Sequence, residues 1–140
     1  MRFIVLVKAT KESETGAPPS AEMLSQMGKY NQQLIDAGIM LEANGLRASK
    51  DGARVRFNGT KRTVLDGPFT EAKELVAGYW VWQCKSLEEA IEWVKRCPNP
   101  MPDSTESDIE IRQIAELSDF PDVPEEVKKM EQSFASSKKG

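Results

Sequence analysis

The 140-residue sequence predicts an α+β domain, a ferredoxin-like split βαβ sandwich with a central β-hairpin. Three observations lead there. Two stretches of helical periodicity each lie between β-rich runs. An Asn-Gly turn signal sits between the two βαβ halves. The resulting order is strand, helix, strand, hairpin, strand, helix, strand.

Each element has a local reason. Phe3 to Val7 is a continuous β-rich run, suited to a strand covered on both faces or paired centrally. Lys11 to Pro19 is polar and ends in Pro18-Pro19, which predicts a loop. Ser20 caps a helix, with Glu22 favoured in its first turn by the helix dipole. Met23, Met27, Tyr30 and Leu34 form one apolar stripe, and Gly38 ends the helix. Ile39-Met40-Leu41 reads as a short strand, broken by Asn44-Gly45. Arg54 to Phe57 alternates polar and apolar, Asn58-Gly59 turns the chain, and Thr63-Val64-Leu65 returns into Asp66-Gly67-Pro68-Phe69.

Thr70 to Val76 can form a short helix. Tyr79 to Cys84 is the most β-prone segment, with Trp80 and Trp82 on one face and Tyr79 and Val81 on the other. Ser86 and Glu89 have capping-box spacing ahead of a helix that turns Leu87, Ala90, Ile91 and Val94 inward, with Trp93 opposite that stripe. The helix stops at Cys97-Pro98, and Pro98, Pro100 and Pro102 mark an irregular loop. Ile109 and Ile111 alternate with Glu110 and Arg112 in a last strand.

These elements fill residues 1–116. Residues 117–140 form an extension in which Pro124 opens an amphipathic helix bearing Val127, Met130 and Phe134. The extension cannot build its own core. It is expected to dock on the domain or on a partner subunit and to end in a disordered Ser136 to Gly140. The two main helices cover one sheet face, which leaves an apolar and aromatic face open. Such a face predicts a homodimer formed sheet to sheet.

Composition narrows the chemistry. Apolar residues make up 39% and charged residues 29%, enough for a core. The net charge of −3 argues against direct nucleic-acid binding. There is no histidine, which removes the commonest general base, the commonest metal ligand and every Ser-His or Cys-His nucleophile. Cys84 and Cys97 are too few for a disulfide scaffold or a four-ligand zinc site and read as reduced thiols. No run approaches a membrane span, so a cytoplasmic, membrane-free protein is expected. No phosphate loop, metal-ligand spacing or cofactor motif is present, so neither cofactor nor metal is expected.

The residues Asp66-Gly67-Pro68-Phe69-Thr70-Glu71-Ala72-Lys73-Glu74-Leu75 carry a resemblance. So do Gly52 to Phe57, Gly78 to Trp82, Glu89 to Trp93, Arg96-Cys97-Pro98 and Ile109 to Arg112. Together with the opening strand and Met27 to Asn31, they make the chain resemble the YCII-related family, in the branch named for the Asp-Gly-Pro-Phe motif. The resemblance implies a ferredoxin-like fold that dimerises into an α/β barrel. It implies suspected enzymatic activity, based in the family on a His and an Asp, and an association with sigma-70-type transcription factors. Relatives in this branch often carry a carboxylate and a histidine where this chain has Asn44 and Arg47.

Asp66 is the leading candidate, since it ends a strand where a side chain can enter a cleft; an Asp before Gly-Pro also commonly caps a turn. Glu71 and Glu74 share a face if their segment is helical. Asp66 with Glu71 is the expected catalytic pair, because close carboxylates can supply a general base without histidine. Arg47 and Lys73 can hold an anionic ligand, with Asn44 beside them and Trp82 as an apolar wall. The leading expectation is a homodimer that binds a small molecule, with a cofactor-independent, lyase- or isomerase-like activity. The alternatives are a regulatory module associated with a sigma factor and a scaffold that has lost activity.

Overall fold

The computed structural model describes residues 1–101 and 106–138; the Lys73 side chain and Pro102 lie outside the described residues. The elements in chain order are β1 (Arg2–Lys8), α1 (Lys11–Glu14), α2 (Ala21–Asp36), β2 (Met40–Gly45), β3 (Ala53–Asn58), β4 (Lys61–Asp66), β5 (Val76–Gln83), α3 (Leu87–Lys95), β6 (Ile109–Gln113) and α4 (Glu125–Ser137). Short 3-10 turns lie at Ser49–Asp51, Ala72–Glu74 and Leu117–Asp119. Four strands form one antiparallel sheet in the order β2-β5-β1-β6, while β3 and β4 form a separate two-stranded ribbon. Each βαβ unit is split: β5 separates β1 from β2, and β1 separates β5 from β6. This is the expected split βαβ order, with the hairpin as an appendage.

Side-chain parity divides the sheet cleanly. Phe3 pairs across from Trp82, and Val5 sits between Trp80 on one side and Ile111 on the other. These residues face α2 and α3, where Tyr30, Leu34 and Ala90 close the core. Phe3, Val5, Leu34 and Trp82 are fully buried. Burial of each such aliphatic or Phe side chain contributes about 1.5–3 kcal/mol. The aromatic contacts are specific: the Tyr30 ring meets Trp80 edge-on at 6.0 Å, and Trp80 lies 5.7 Å from Trp82. Trp80 Nε1–H donates to Asn31 Oδ1 at 2.9 Å, whereas Trp82 Nε1–H is buried with no partner among the described residues. The Tyr30 hydroxyl donates to the Trp93 carbonyl and so ties α2 to α3.

Both serine N-caps form, though the reciprocal Glu89 carboxylate bond that would complete a capping box at Ser86 is absent among the described residues. Ser20 Oγ accepts from Met23 N at 3.1 Å, and Ser86 Oγ accepts from Glu89 N at 3.1 Å. Gly38, at φ +73°, follows α2.

Several expectations need correction. The segment after β1 is not all loop: Thr10 and Ser13 close a capping box that starts α1. The second strand runs on to Gly45, because β5 offers it a full edge to pair with. In the hairpin, Asn58 pairs with Lys61, so Gly59 and Thr60 are the central turn residues, Gly59 at φ +61°. Leu87 and Ile91 are exposed and Trp93 packs on the core, so the buried face of α3 is rotated from the expected stripe. The segment after Phe69 holds only a single 3-10 turn. Finally, α4 continues through Ser137, and Lys139 and Gly140 lie outside the described residues. Of its stripe, Val127 is half-buried and Met130 and Phe134 are exposed. No helix among the described residues is long and apolar enough to cross a membrane.

Candidate functional site

The Asp66-Gly67-Pro68-Phe69 turn is built around close backbone packing. An added Cβ at Gly67 would lie 1.7 Å from the Ser49 carbonyl oxygen, so only glycine fits. Gly67 N–H donates to the Gly52 carbonyl at 3.1 Å, and Phe69 N–H donates to Ser49 Oγ at 2.9 Å. Ser49 is itself held from α1: its N–H donates to Glu14 Oε1 at 3.1 Å, and its hydroxyl donates to Glu14 Oε2. The Arg54 guanidinium lies 3.8 Å over the Phe69 ring and 3.9 Å from Glu71 Oε2. The Gly67-Pro68 peptide is cis. The motif is therefore a brace joining the hairpin, the Ser49 turn and α1.

Among the described residues, Asp66, Glu71, Arg47, Asn44 and Trp82 make no hydrogen bond or ion pair with one another. Asp66 ends β4 opposite Ala53, is exposed, and its carboxylate has no hydrogen bond or ion pair among the described residues. Glu71 is exposed, accepts from Thr70 Oγ1 at 3.0 Å and faces Arg54. Arg47 is 88% exposed and reaches Asp51 at 3.2 Å. Trp82 lies in the core on the helix side. A cleft of about 610 Å³ opens between Lys8–Glu12 and Glu106–Asp108, and a groove of about 350 Å³ lies between Leu117–Val123 and α4. Neither is lined by Asp66, Glu71, Arg47, Asn44 or Trp82.

Asn44 belongs to a different grouping, on the open face of the sheet. Its Nδ2 donates to Glu42 Oε1 at 2.7 Å and to the Tyr79 hydroxyl oxygen at 3.1 Å. The Tyr79 hydroxyl donates to Glu42 Oε1 at 2.8 Å. The register explains the cluster: Asn44 lies opposite Tyr79, and Glu42 lies opposite Val81. Ile4 and Leu6 of β1 lie opposite Val81 and Tyr79, which sets an apolar floor beside the polar group. Glu42 Oε2 accepts no hydrogen bond among the described residues. The cluster therefore offers one free carboxylate oxygen beside an apolar surface.

Glu42 and Tyr79 are absent from the sequence-based candidates. The signal was available: Glu42 and Asn44 are two apart and share a strand face once β2 extends past Leu41. Among the described residues, no cluster of three or more Cys, Asp or Glu side chains is placed to hold a metal.

A family model described as YCII-related domain matches residues 1–117. A protein of Rhizobium meliloti (strain 1021), described as uncharacterized, is 30% identical over 107 residues, spanning 74% of this chain and 85% of the relative.

Proposed function

The chain belongs to the YCII-related domain family, and we propose that it is a homodimer that binds a small molecule on the open face of its sheet. The observation that carries this reading is the Glu42–Asn44–Tyr79 cluster, with Glu42 Oε1 accepting from both neighbours. Two internal donors hold that carboxylate in one orientation. Its second oxygen is left to receive a donor from outside, beside Ile4, Leu6 and Val81. A ligand suited to this surface has an apolar body and one hydroxyl or ammonium donor.

A single sheet face cannot enclose such a ligand, and a second sheet stacked on it can. Ile4, Leu6, Tyr79 and Val81 are only partly buried in one chain, which favours that stacking. Asp66 stands outside the cluster and is assigned no chemical step; its turn serves as the brace described above.

The test has two parts. Light scattering on the full chain should give twice the monomer mass of 15.6 kDa. A panel of alkyl amines, amino alcohols and phenols, screened by thermal shift, should contain a stabilising compound. Its affinity should fall about tenfold or more in Glu42→Gln and in Tyr79→Phe. A monomeric mass, or a ligand that binds both variants as tightly as the wild type, overturns the proposal.

A further inference from the structure

Two apolar surfaces outside the open sheet face have no cover in the single chain. The first is the β3–β4 ribbon. Val55 and Val64 lie directly opposite one another, Phe57 shares their face, and the three are 51%, 64% and 68% exposed. Arg62 lies over the Phe57 ring at 4.4 Å and frames this patch with charge. The second is α4 of the extension, where Met130 and Phe134 are 56% and 55% exposed.

The ribbon is basic and the run that leads into α4 is acidic, while α4 and its C-cap balance Glu125, Glu126 and Glu131 against Lys128, Lys129 and Lys138. Residues 52–65 hold Arg54, Arg56, Lys61 and Arg62 and no carboxylate. Residues 113–127 hold Glu116, Asp119, Asp122, Glu125 and Glu126 and no cation. Within the chain, Glu116 pairs with Arg2 and Glu125 with Lys128, while Asp122 and Glu126 have no ion pair among the described residues. In the ribbon Arg54 meets Glu71, while Arg56 and Lys61 have no ion pair among the described residues; at the C-cap of α4 the Lys138 ammonium lies 4.5 Å over the Phe134 ring.

Position then selects the occupant. The ribbon leaves the sheet where Gly45 pairs with Gly78, beside edge strand β2. The extension leaves at the other end and the other edge, where Ile114 N–H donates to the Arg2 carbonyl beyond β6. Those corners are separated by about five residues of strand and three strand spacings, or roughly 22 Å along the diagonal. A two-fold axis in the plane of the stacked sheets, along the other diagonal, brings each corner of one copy over the opposite corner of its mate.

From this geometry we propose that the extension of one copy docks on the β3–β4 ribbon of a second copy. Met130 and Phe134 cover Val55, Phe57 and Val64, and the acidic run ahead of α4 approaches the basic ribbon. The contact occurs twice per dimer and extends the interface beyond the sheet faces.

The experiment uses two full-length variants, Phe57→Cys and Met130→Cys, each at an exposed site. Mixed and oxidised, they should give a disulfide-linked dimer on a non-reducing gel, well above the yield of either variant alone. Adding Asp122→Lys and Glu126→Lys to the Met130→Cys chain should lower that yield several-fold. Adding Arg56→Glu and Lys61→Glu to the other chain should restore it. A cross-link no stronger in the mixture than in the separate variants overturns the proposal. So does an intrachain link in a Phe57→Cys/Met130→Cys chain at high dilution. Light scattering on the same samples separates the two readings. A dimer without the cross-link sinks only the extension–ribbon contact, whereas a monomer sinks the stacked sheets as well.

Discussion

Gly67→Ala tests whether the Asp66-Gly67-Pro68-Phe69 turn is a brace. The new Cβ would sit 1.7 Å from the Ser49 oxygen and 2.5 Å from its carbonyl carbon. The two backbones must part by roughly 1.3 Å or more before that contact ceases to be strongly repulsive. Four hydrogen bonds hold them together: Gly67 to Gly52, Phe69 to Ser49, and two from Ser49 to the Glu14 carboxylate. Loss of two of these costs about 2–4 kcal/mol, the larger value if a carboxylate bond is among them. For a chain of 140 residues, about 3 kcal/mol lowers the melting temperature by roughly 10 °C. Thermal and urea denaturation followed by circular dichroism measure it. Gly52→Ala is the control, because its Cβ would lie 3.5 Å from the same oxygen at an ordinary backbone φ of −117°. It should stay within about 1 kcal/mol of wild type. A Gly67→Ala protein as stable as wild type, or a control equally damaged, refutes the brace.

Three further outcomes are expected. Glu14→Ala removes the acceptor for both Ser49 donors and should cost about 1–2 kcal/mol while raising proteolysis at residues 46–52; unchanged digestion would show that Glu14 does not hold that turn. Tyr30→Phe leaves the Trp93 carbonyl without its donor and should cost about 1 kcal/mol in urea unfolding. Burial pushes the Cys97 thiol up to about 11, so the unfolded chain ionises there first as pH rises. The stabilisation is complete below pH 9, the ordinary value, and about 1–2 kcal/mol of it should be lost between pH 9 and 11. Cys97→Ala should flatten that slope, and a parallel pH profile in the variant would contradict it. At pH 8 the native Cys97 thiol should react with a disulfide reagent about tenfold more slowly than an ordinary thiol, the smaller thiolate fraction being partly offset by its higher nucleophilicity.

The legibility of the fold followed the range of the forces involved. Helix periodicity and strand parity are local, so Tyr30 and Leu34 were legible as one stripe and Trp80 and Trp82 as one strand face; which side that face turns to depends on pairing, and Trp82, expected as a ligand wall, lies in the core. Extents that depend on pairing were not legible either: β2 lengthens because β5 is its neighbour, and that neighbour is 35 residues away at the Asn44–Tyr79 pair. The same distance hid the polar cluster. Asn44 was legible as a candidate, but its link to Glu42 and Tyr79 exists only once the register is set. The Asp66 turn stood out because its composition is unusual, yet composition did not reveal its work. The Ser49 oxygen that excludes a side chain at position 67 comes from a different turn, and Glu14 from a segment that reads as plain polar loop.

The alternation along β5 ties two inheritances together. Trp80 and Trp82 anchor the core, while Tyr79 and Val81, the intervening residues, make the face on which the polar cluster stands. A strand has a period of two, so a one-residue insertion or deletion before Tyr79 exchanges both sets at once. It would drive the tryptophans onto the open face and Tyr79 under the helices. Lineages descending from such a sequence can vary the open-face positions by substitution. They cannot do so by changing the length of this strand without dismantling the core in the same event.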